Sequence, residues 1–215
     1  MSTYEHLEID QQLALREAHS RLAREFNDTA TDETIRTFLL SSYEQFIPRA
    51  SFADYVPLLA ERHTRQQLQA LHKIEHGNED HKPVVLFVCV HNAGRSQMAL
   101  GFLSHHAGTG ALGWSAGSQP ADLVNPVAIE AMAERGIDIS EEFPKPWTDE
   151  IVQAADVVVT MGCGDECPYF PGKTYVDWAL DDPKGLGIEA VRPIRDEVEQ
   201  RVLDLLRQLG VSTVS

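Results

Sequence analysis

Cysteine is scarce in this chain of 215 residues, which has three cysteines, at positions 89, 163 and 167. An odd number of cysteines excludes a scaffold in which every cysteine is paired in a disulfide. No Cys-x-x-Cys motif or nearby pair of histidines completes the four ligands of a structural zinc site. We therefore expect no bound metal. We expect the thiols to be catalytic or redox-active, as they often are in reducing compartments.

Basic residues are also few, with 18 lysines and arginines against 33 acidic residues and a formal net charge of −15. This excess repels the phosphates of nucleic acids and anionic lipids, so an anionic substrate must be attracted by a local feature. No apolar run approaches the roughly 20 residues of a membrane helix. The N-terminus has no basic segment followed by an apolar one, as a signal peptide would. We expect a cytoplasmic protein without nucleic acid or membrane partners.

Residues 1–78 show the apolar periodicity of three amphipathic helices, predicting a small N-terminal helical bundle. The second helix is predicted to begin at Thr31 and the third near Pro57. The apolar positions are Ile9, Leu13, Leu15, Ala18, Leu22 and Phe26, then Ile35, Phe38, Leu39, Tyr43 and Phe46, then Leu58, Leu59, Leu68, Leu71 and Ile74. These helices can serve either to pack within the chain or to associate with a second copy of it. The pattern does not distinguish the two, because amphipathic helices carry little function by themselves.

Residues 82–212 show a different pattern, in which strands and helices alternate after a polar stretch at 76–83. Strands are predicted at 84–88, 112–116, 157–161 and 174–176, and helices near 95–107, 126–135, 148–154 and 193–209. Alternation of this kind is typical of an α/β fold, here a four-stranded parallel sheet with flanking helices. Ligands of such sheets bind at the carboxyl ends of the strands.

The segment after the first strand, residues 89–96, reads Cys-Val-His-Asn-Ala-Gly-Arg-Ser. A tight loop before a helix can point several backbone N–H groups inward and bind a tetrahedral anion. Gly94 permits a tight path, and the guanidinium of Arg95 suits two oxygens of one anion. The same positive field favours a Cys89 thiolate, to which Ser96 can donate, while Asn92 can brace the loop. The predicted oxyanion-binding residues are Val90, His91, Asn92, Ala93, Gly94, Arg95 and Ser96.

This loop resembles that of the low-molecular-weight protein tyrosine phosphatase superfamily, and specifically its arsenate reductase branch. The resemblance extends from residue 83 to about 210 and implies the phosphatase-like fold. Residues 1–80 lie outside that fold and resemble a helical extension of some actinobacterial-type arsenate reductases. The other matching segments are Gln97-Met-Ala99, Trp114-Ser-Ala-Gly117, Asn125-Pro126, Arg135-Gly-Ile-Asp-Ile-Ser140, Asp156-Val-Val-Val-Thr160 and Trp178-Ala-Leu-Asp-Asp182-Pro183.

The loop does not distinguish a phosphatase from a reductase, because phosphate and arsenate share shape and charge. A reductase must deliver two electrons, and Cys163 and Cys167 follow the third strand. There Cys163 can attack the sulfur of Cys89 and Cys167 can then close on Cys163, in a thiol–disulfide relay. Asp182 is the predicted general acid, and its neighbour Asp181 a solvated loop residue. The prediction is a cytoplasmic arsenate reductase with no bound cofactor, recycled by thioredoxin, for which phosphate and sulfate compete with arsenate.

Three alternatives remain open. The gap between Cys163 and Cys167 is shorter than in thioredoxin-linked relatives, and related actinobacterial enzymes use mycothiol with a mycoredoxin instead. A low-molecular-weight protein tyrosine phosphatase needs only one thiol, an acid and water. An oxyanion sensor is the non-enzymatic alternative.

Leu100 stands where potassium-binding relatives carry an acidic residue, so we expect no potassium dependence.

Overall fold

A computed structural model describes residues 7–49, 53–77, 81–162 and 169–214. The chain divides into two compact units, Met1–Glu79 and Asp80–Ser215. Within the described ranges, no helix combines the length and the apolarity needed to cross a membrane.

Among the described residues of the first unit, three α-helices are present, as the sequence predicts. Their bounds are α1 Ile9–Glu25, α2 Asp32–Phe46 and α3 Val56–His76, with short 3-10 turns at Ile47–Arg49 and Ala53–Tyr55. Helix α2 begins as predicted, because the Thr31 hydroxyl accepts a hydrogen bond from the Thr34 N–H at 3.1 Å and satisfies a free donor of the first turn.

The predicted apolar stripes are only partly correct. Leu15, Leu22, Leu39 and Leu68 are buried. By contrast, the apolar positions that lie near the ends of the helices or off the packed face are exposed. These exposed positions are Ile9, Leu13, Leu58 and Ile74.

Polar side chains occupy part of the interior of this unit, which the apolar pattern did not predict. The Ser42 hydroxyl forms a hydrogen bond with Nδ1 of His63 at 3.1 Å. It also donates to the side-chain oxygen of Gln67 at 3.1 Å. The carboxylate of Glu61, 6% exposed, accepts from Arg21 and Arg65 at 2.6 and 2.9 Å. The hydrogen bond from Arg21 is the main cause that lowers the pKa of Glu61. Buried polar groups are tolerated when they are paired in this way.

The second unit contains the predicted four-stranded parallel sheet, with strand order β2-β1-β3-β4. The strands are β1 Val84–Cys89, β2 Leu112–Gly117, β3 Val157–Met161 and β4 Thr174–Asp177. All six residues of β1 are buried, because helices cover both faces of a central parallel strand.

In the part of this unit that the structure describes, four helices flank the sheet: α4 Arg95–Ala107, α5 Pro126–Ala133, α6 Asp149–Ala154 and α7 Ile188–Gln208. Val85, Phe87 and Cys89 share the main apolar core with residues of α4, α5 and α7. Helix α5 ends two residues before its predicted end. Helix α7 begins at Ile188 and not at the predicted residue 193. Pro193 lies inside this helix and has no N–H to donate to the carbonyl of Glu189. The helix tolerates this loss because both residues are exposed, so water can reach the carbonyl.

Candidate active site

The ends of three strands meet where the predicted anion loop begins. Cys89, the last residue of β1, pairs in register with Gly117 of β2 and Met161 of β3. A side chain on Gly117 would lie 2.7 Å from the Val90 carbonyl oxygen and 2.9 Å from the Asn92 nitrogen. The loop therefore crosses β2 so closely that only glycine fits at this position.

The sulfur of Cys89 lies inside the loop, and the residue is 2% exposed. The backbone N–H of Asn92 donates to Sγ at 3.2 Å, and the hydroxyl of Ser96 lies 3.1 Å from it. Both groups can donate a hydrogen bond to a thiolate at this position.

Asn92 braces the loop from within, where it is fully buried. Its amide nitrogen donates to the Ser96 hydroxyl at 2.8 Å, and its side-chain oxygen accepts from the Lys145 N–H at 2.9 Å. It is also the residue that adopts the left-handed conformation, with φ of +47°. Asparagine tolerates this region better than most residues.

Gly94 fits a tight path for a different reason than backbone conformation alone. Its φ is −127°, so the left-handed turn of the loop is not at this glycine. A side chain here would lie 2.6 Å from Cγ of Pro183. Gly94 is required because the loop that carries Asp182 lies directly against it.

Arg95 and Asp182 come together from positions 87 residues apart. Nη2 of Arg95 donates to Oδ2 of Asp182 at 3.1 Å, and Nη1 donates to the Leu180 carbonyl at 3.3 Å. The Arg95 side chain is 9% exposed, whereas that of Asp182 is 47% exposed. The Lys184 N–H holds the second oxygen of Asp182 at 3.0 Å, and Asp181 is exposed.

A cleft of about 480 Å³ opens above this group and is lined by Cys89, Arg95 and Asp182. At its rim, Nε2 of His91 lies 3.4 Å from Nζ of Lys184. Among the described residues that line it, none is phenylalanine, tyrosine or tryptophan. The described part of the chain also contains no cluster of three or more His, Cys, Asp or Glu side chains placed to share a metal ion.

The structure thus brings together the loop 89–96 and Asp182, while Cys163 and Cys167 lie outside the described residues. Gly162, which directly follows β3, has φ of +74°. A side chain at Gly162 would lie 3.2 Å from Nη1 of Arg95. The chain therefore passes beside the guanidinium immediately before it reaches Cys163.

Sequence reasoning missed a set of buried polar residues behind the loop. Lys145 is 4% exposed, and Ser115 and Gln97 are fully buried. Gln97 and Ser115 lie within matching segments, but no pattern distinguishes Lys145 from a surface lysine. Only the fold shows that Lys145 lies behind the loop, where its backbone N–H donates to the Asn92 side-chain oxygen.

Residues 84–214 match the sequence profile of the family described as low molecular weight phosphotyrosine protein phosphatase. The chain belongs to this family. Residues 15–72 match a second profile, described as the N-terminal domain of protein-tyrosine-phosphatase-like proteins. The predicted family and the helical extension are both confirmed.

Several relatives and solved structures to which this chain is similar carry the name arsenate reductase. A putative arsenate reductase of Halobacterium salinarum is 43% identical over 129 residues, which cover 58% of this chain and 91% of the relative. A thioredoxin-dependent arsenate reductase of Corynebacterium glutamicum has a TM-score of 0.82 and 39% identity, covering 91% of this chain and 96% of that one. An arsenate reductase in the phosphate binding state has a TM-score of 0.54 and 34% identity, covering 59% of this chain and 98% of that one.

Proposed function

We propose that this protein is an arsenate reductase that converts arsenate to arsenite through Cys89 and a thiol–disulfide relay. The observation that carries the proposal is the placement of the Cys89 sulfur, between the Asn92 N–H and the Ser96 hydroxyl, in one cleft with Arg95 and Asp182. The likeness to the C. glutamicum enzyme over 91% of this chain supports arsenate as the substrate.

The first step is attack of the Cys89 thiolate on arsenic. The backbone N–H groups of residues 90–96 and the guanidinium of Arg95 bind the arsenate oxygens and neutralise their charge. A bond forms between sulfur and arsenic, and the hydroxyl group of the arsenate leaves as water after it takes a proton from Asp182. Asp182 is suited to this role because it is half exposed and lines the cleft that also contains the sulfur.

Reduction follows when the thiolate of Cys163 attacks the sulfur of Cys89. The sulfur–arsenic bond breaks, its electron pair goes to arsenic, and arsenite leaves while a Cys89–Cys163 disulfide forms. Cys167 then attacks Cys163 and releases the Cys89 thiolate. The dithiol of thioredoxin reduces the resulting Cys163–Cys167 disulfide, so two electrons enter for each arsenate reduced.

The walls of the cleft favour a small inorganic anion over an aryl phosphate. An aromatic substrate gains binding energy by stacking on rings, and no phenylalanine, tyrosine or tryptophan lies among the described lining residues. Phosphate and sulfate have the same tetrahedral shape, so both should compete with arsenate in this loop.

The decisive assay supplies arsenate, NADPH, thioredoxin and thioredoxin reductase to the purified chain and follows NADPH oxidation. We expect turnover that is abolished in Cys89→Ser, Cys163→Ser and Cys167→Ser. A parallel assay supplies mycothiol and mycoredoxin. Turnover only in the mycothiol assay would show that mycothiol and mycoredoxin, and not thioredoxin, are the reductant. The absence of turnover in both assays would refute the proposal.

An aryl phosphate assay separates the reductase from a phosphatase. Phosphate release that survives Cys163→Ser and Cys167→Ser, without arsenate turnover in the wild type, would show a phosphatase. Oxyanion binding without any turnover would show a sensor.

Asp181 provides a matched control for the general acid. Asp182→Asn should lower kcat by roughly 10²–10⁴-fold, the usual contribution of a positioned acid. Asp181→Asn removes the same charge one residue away from an exposed position and should leave kcat unchanged. Equal effects of the two substitutions would exclude Asp182 as the acid.

A further inference from the structure

Asn125 contacts both loops of the active site, although the proposed chemistry does not use it. Its backbone N–H donates to the Ala93 carbonyl, in the anion loop 89–96, at 2.8 Å. Its side-chain nitrogen donates to the Pro183 carbonyl at 3.3 Å. Pro183 directly follows Asp182, in the segment 181–187 that we call the acid loop. One residue therefore connects the loop that binds the anion with the loop that carries the proposed acid.

The orientation of the Asn125 side chain is fixed by the start of α5. Its side-chain oxygen accepts from the Val127 N–H at 2.9 Å and caps this helix. Because the oxygen faces the helix, the amide nitrogen points away from it and toward Pro183. Serine and aspartate cap helices about as well as asparagine and have no side-chain nitrogen, so capping alone does not require an amide at this position.

The Pro183 carbonyl that receives this bond also closes a turn. The Leu186 N–H donates to it at 3.2 Å, and the Lys184 N–H donates to Oδ1 of Asp182 at 3.0 Å. Both of these bonds lie inside the acid loop. They fix the shape of the loop but not its position relative to Cys89.

The ion pair between Arg95 and Asp182 joins the two loops, but it cannot persist through the first step proposed above. An Asp182 that donates a proton must first carry one, and the guanidinium then has no carboxylate as its partner. The bond from Arg95 to the Leu180 carbonyl depends on the same guanidinium, which binds the arsenate oxygens in that step. The bond from Asn125 uses neither a reacting proton nor a group that binds the anion, so it can remain while the acid acts.

The other described contacts between the loops hold them less firmly. Nζ of Lys184 lies 3.4 Å from Nε2 of His91 at the exposed rim, where water competes for both groups. The packing of Pro183 against Gly94 limits how closely the loops approach but not how far they separate.

We propose that Asn125 is a positioning residue, which holds the acid loop against the anion loop so that Asp182 stays within reach of the leaving oxygen after its ion pair with Arg95 opens. The inference rests on the proposed function in taking Asp182 as the general acid. The contact itself needs no reaction and can be measured without one.

Asn125→Ser separates the two roles of this side chain. The serine oxygen still caps α5, but it ends one bond short of the position of the amide nitrogen. We expect kcat for arsenate to fall about tenfold, the effect of one hydrogen bond, with KM nearly unchanged because the anion loop is intact. Asn125→Asp keeps the shape and the cap but presents an acceptor to the Pro183 carbonyl, and should lower kcat at least as much.

Thr148→Ala is the matched control. It removes the corresponding cap of α6 and should lower thermal stability without lowering kcat. A folded Asn125→Ser or Asn125→Asp protein with the kcat of the wild type would overturn the inference.

A double variant distinguishes positioning of the acid from a merely structural role. In the Asp182→Asn background, Asn125→Ser should cause no further loss of kcat, because the acid that it positions is already absent. A further tenfold loss in that background would show that Asn125 acts on another part of the site, and would overturn the inference.

Hydrogen exchange measures the same contact without arsenate, so its outcome is independent of whether the protein reduces arsenate. In Asn125→Ser, the backbone N–H groups of Lys184 and Leu186 should exchange faster than in the wild type, while those of α5 exchange at the wild-type rate. Unchanged exchange in the acid loop would overturn the inference. Failure of the proposed function would instead appear as absent turnover in the wild type, with the faster exchange in Asn125→Ser retained.

Discussion

Replacing Gly94 with alanine should reduce catalysis by displacing the loop that carries Asp182. The new methyl group would lie 2.6 Å from Cγ of Pro183, and 3.6 and 3.9 Å from its Cδ and Cβ. Carbon atoms normally approach to about 3.5–4.0 Å, so the two segments must separate by roughly 1 Å. Pro183 is buried and its ring is rigid, so the contact cannot be relieved by a simple rotation of that side chain.

Two consequences can be estimated from this contact. Overpacking of a filled site costs about 1–3 kcal/mol of folding free energy, and each kcal/mol lowers Tm by roughly 2–4 °C in a chain of this size. A displacement of about 1 Å at a reacting group lowers the rate by up to about 10²-fold. We therefore expect a folded variant that has lost a few degrees in Tm and whose kcat is about 10- to 100-fold lower.

The assay combines arsenate turnover with thermal unfolding in a double-variant cycle. Pro183→Ala removes the ring atoms that meet the new methyl group, so Gly94→Ala/Pro183→Ala should recover part of the activity lost in Gly94→Ala. Pro183→Ala alone should have a milder effect, because it releases the backbone without creating a clash.

Two results would refute this reasoning. Wild-type kcat in Gly94→Ala would show that the two loops separate without consequence. Failure of Pro183→Ala to relieve the defect would show that the methyl group acts on the anion loop itself and not on the loop of Asp182.

Three other substitutions test further parts of the structure. Gly162→Ala should weaken arsenate binding, seen as a higher KM, because it forces a side chain into a φ of +74° at 3.2 Å from Arg95. Glu134→Gln should flatten the dependence of Tm on pH below about 4.5. Hydrogen bonds, chiefly from Arg192, lower the pKa of Glu134 to about 2, so its stabilisation is present above 4.5 and is lost as the pH falls toward 2. Leu68→Ala should destabilise the helical unit by about 2–5 kcal/mol in urea unfolding, because Leu68 is fully buried.

Each of these substitutions has a matched control. Gly136→Ala imposes the same φ of +74° where nothing lies within 4 Å, so an equal rise in KM would exclude the contact with Arg95 as the cause. Glu130→Gln removes an exposed carboxylate from the same helical region, and a pH dependence flattened as much as by Glu134→Gln would contradict the assigned ion pairs. Leu58→Ala changes an exposed leucine, and a loss equal to that of Leu68→Ala would contradict the described packing.

Local patterns predicted the elements of the structure well where one physical requirement dominates. The apolar run from Val84 to Val88 fits only a strand buried on both faces, and it forms the central strand β1. Thr31 caps α2 as expected, because a side-chain oxygen at that point satisfies a free backbone donor. The periodicity wrongly predicted that Ile9 and Leu58 are buried, and both are exposed. The pattern locates an apolar stripe on a helix but does not show how far the neighbouring helices cover that stripe.

The sequence by itself determined the parallel α/β fold, the helical extension, the family and the cysteine loop, because these depend on residues close together in the chain. Only the tertiary structure decided which distant residues complete the site. Arg95 meets Asp182 across 87 positions, Pro183 lies against Gly94, and Lys145 reaches Ser115 behind the loop. Such contacts depend on how strands and helices pack in space, and packing brings together side chains whose separation along the chain carries no periodic signal.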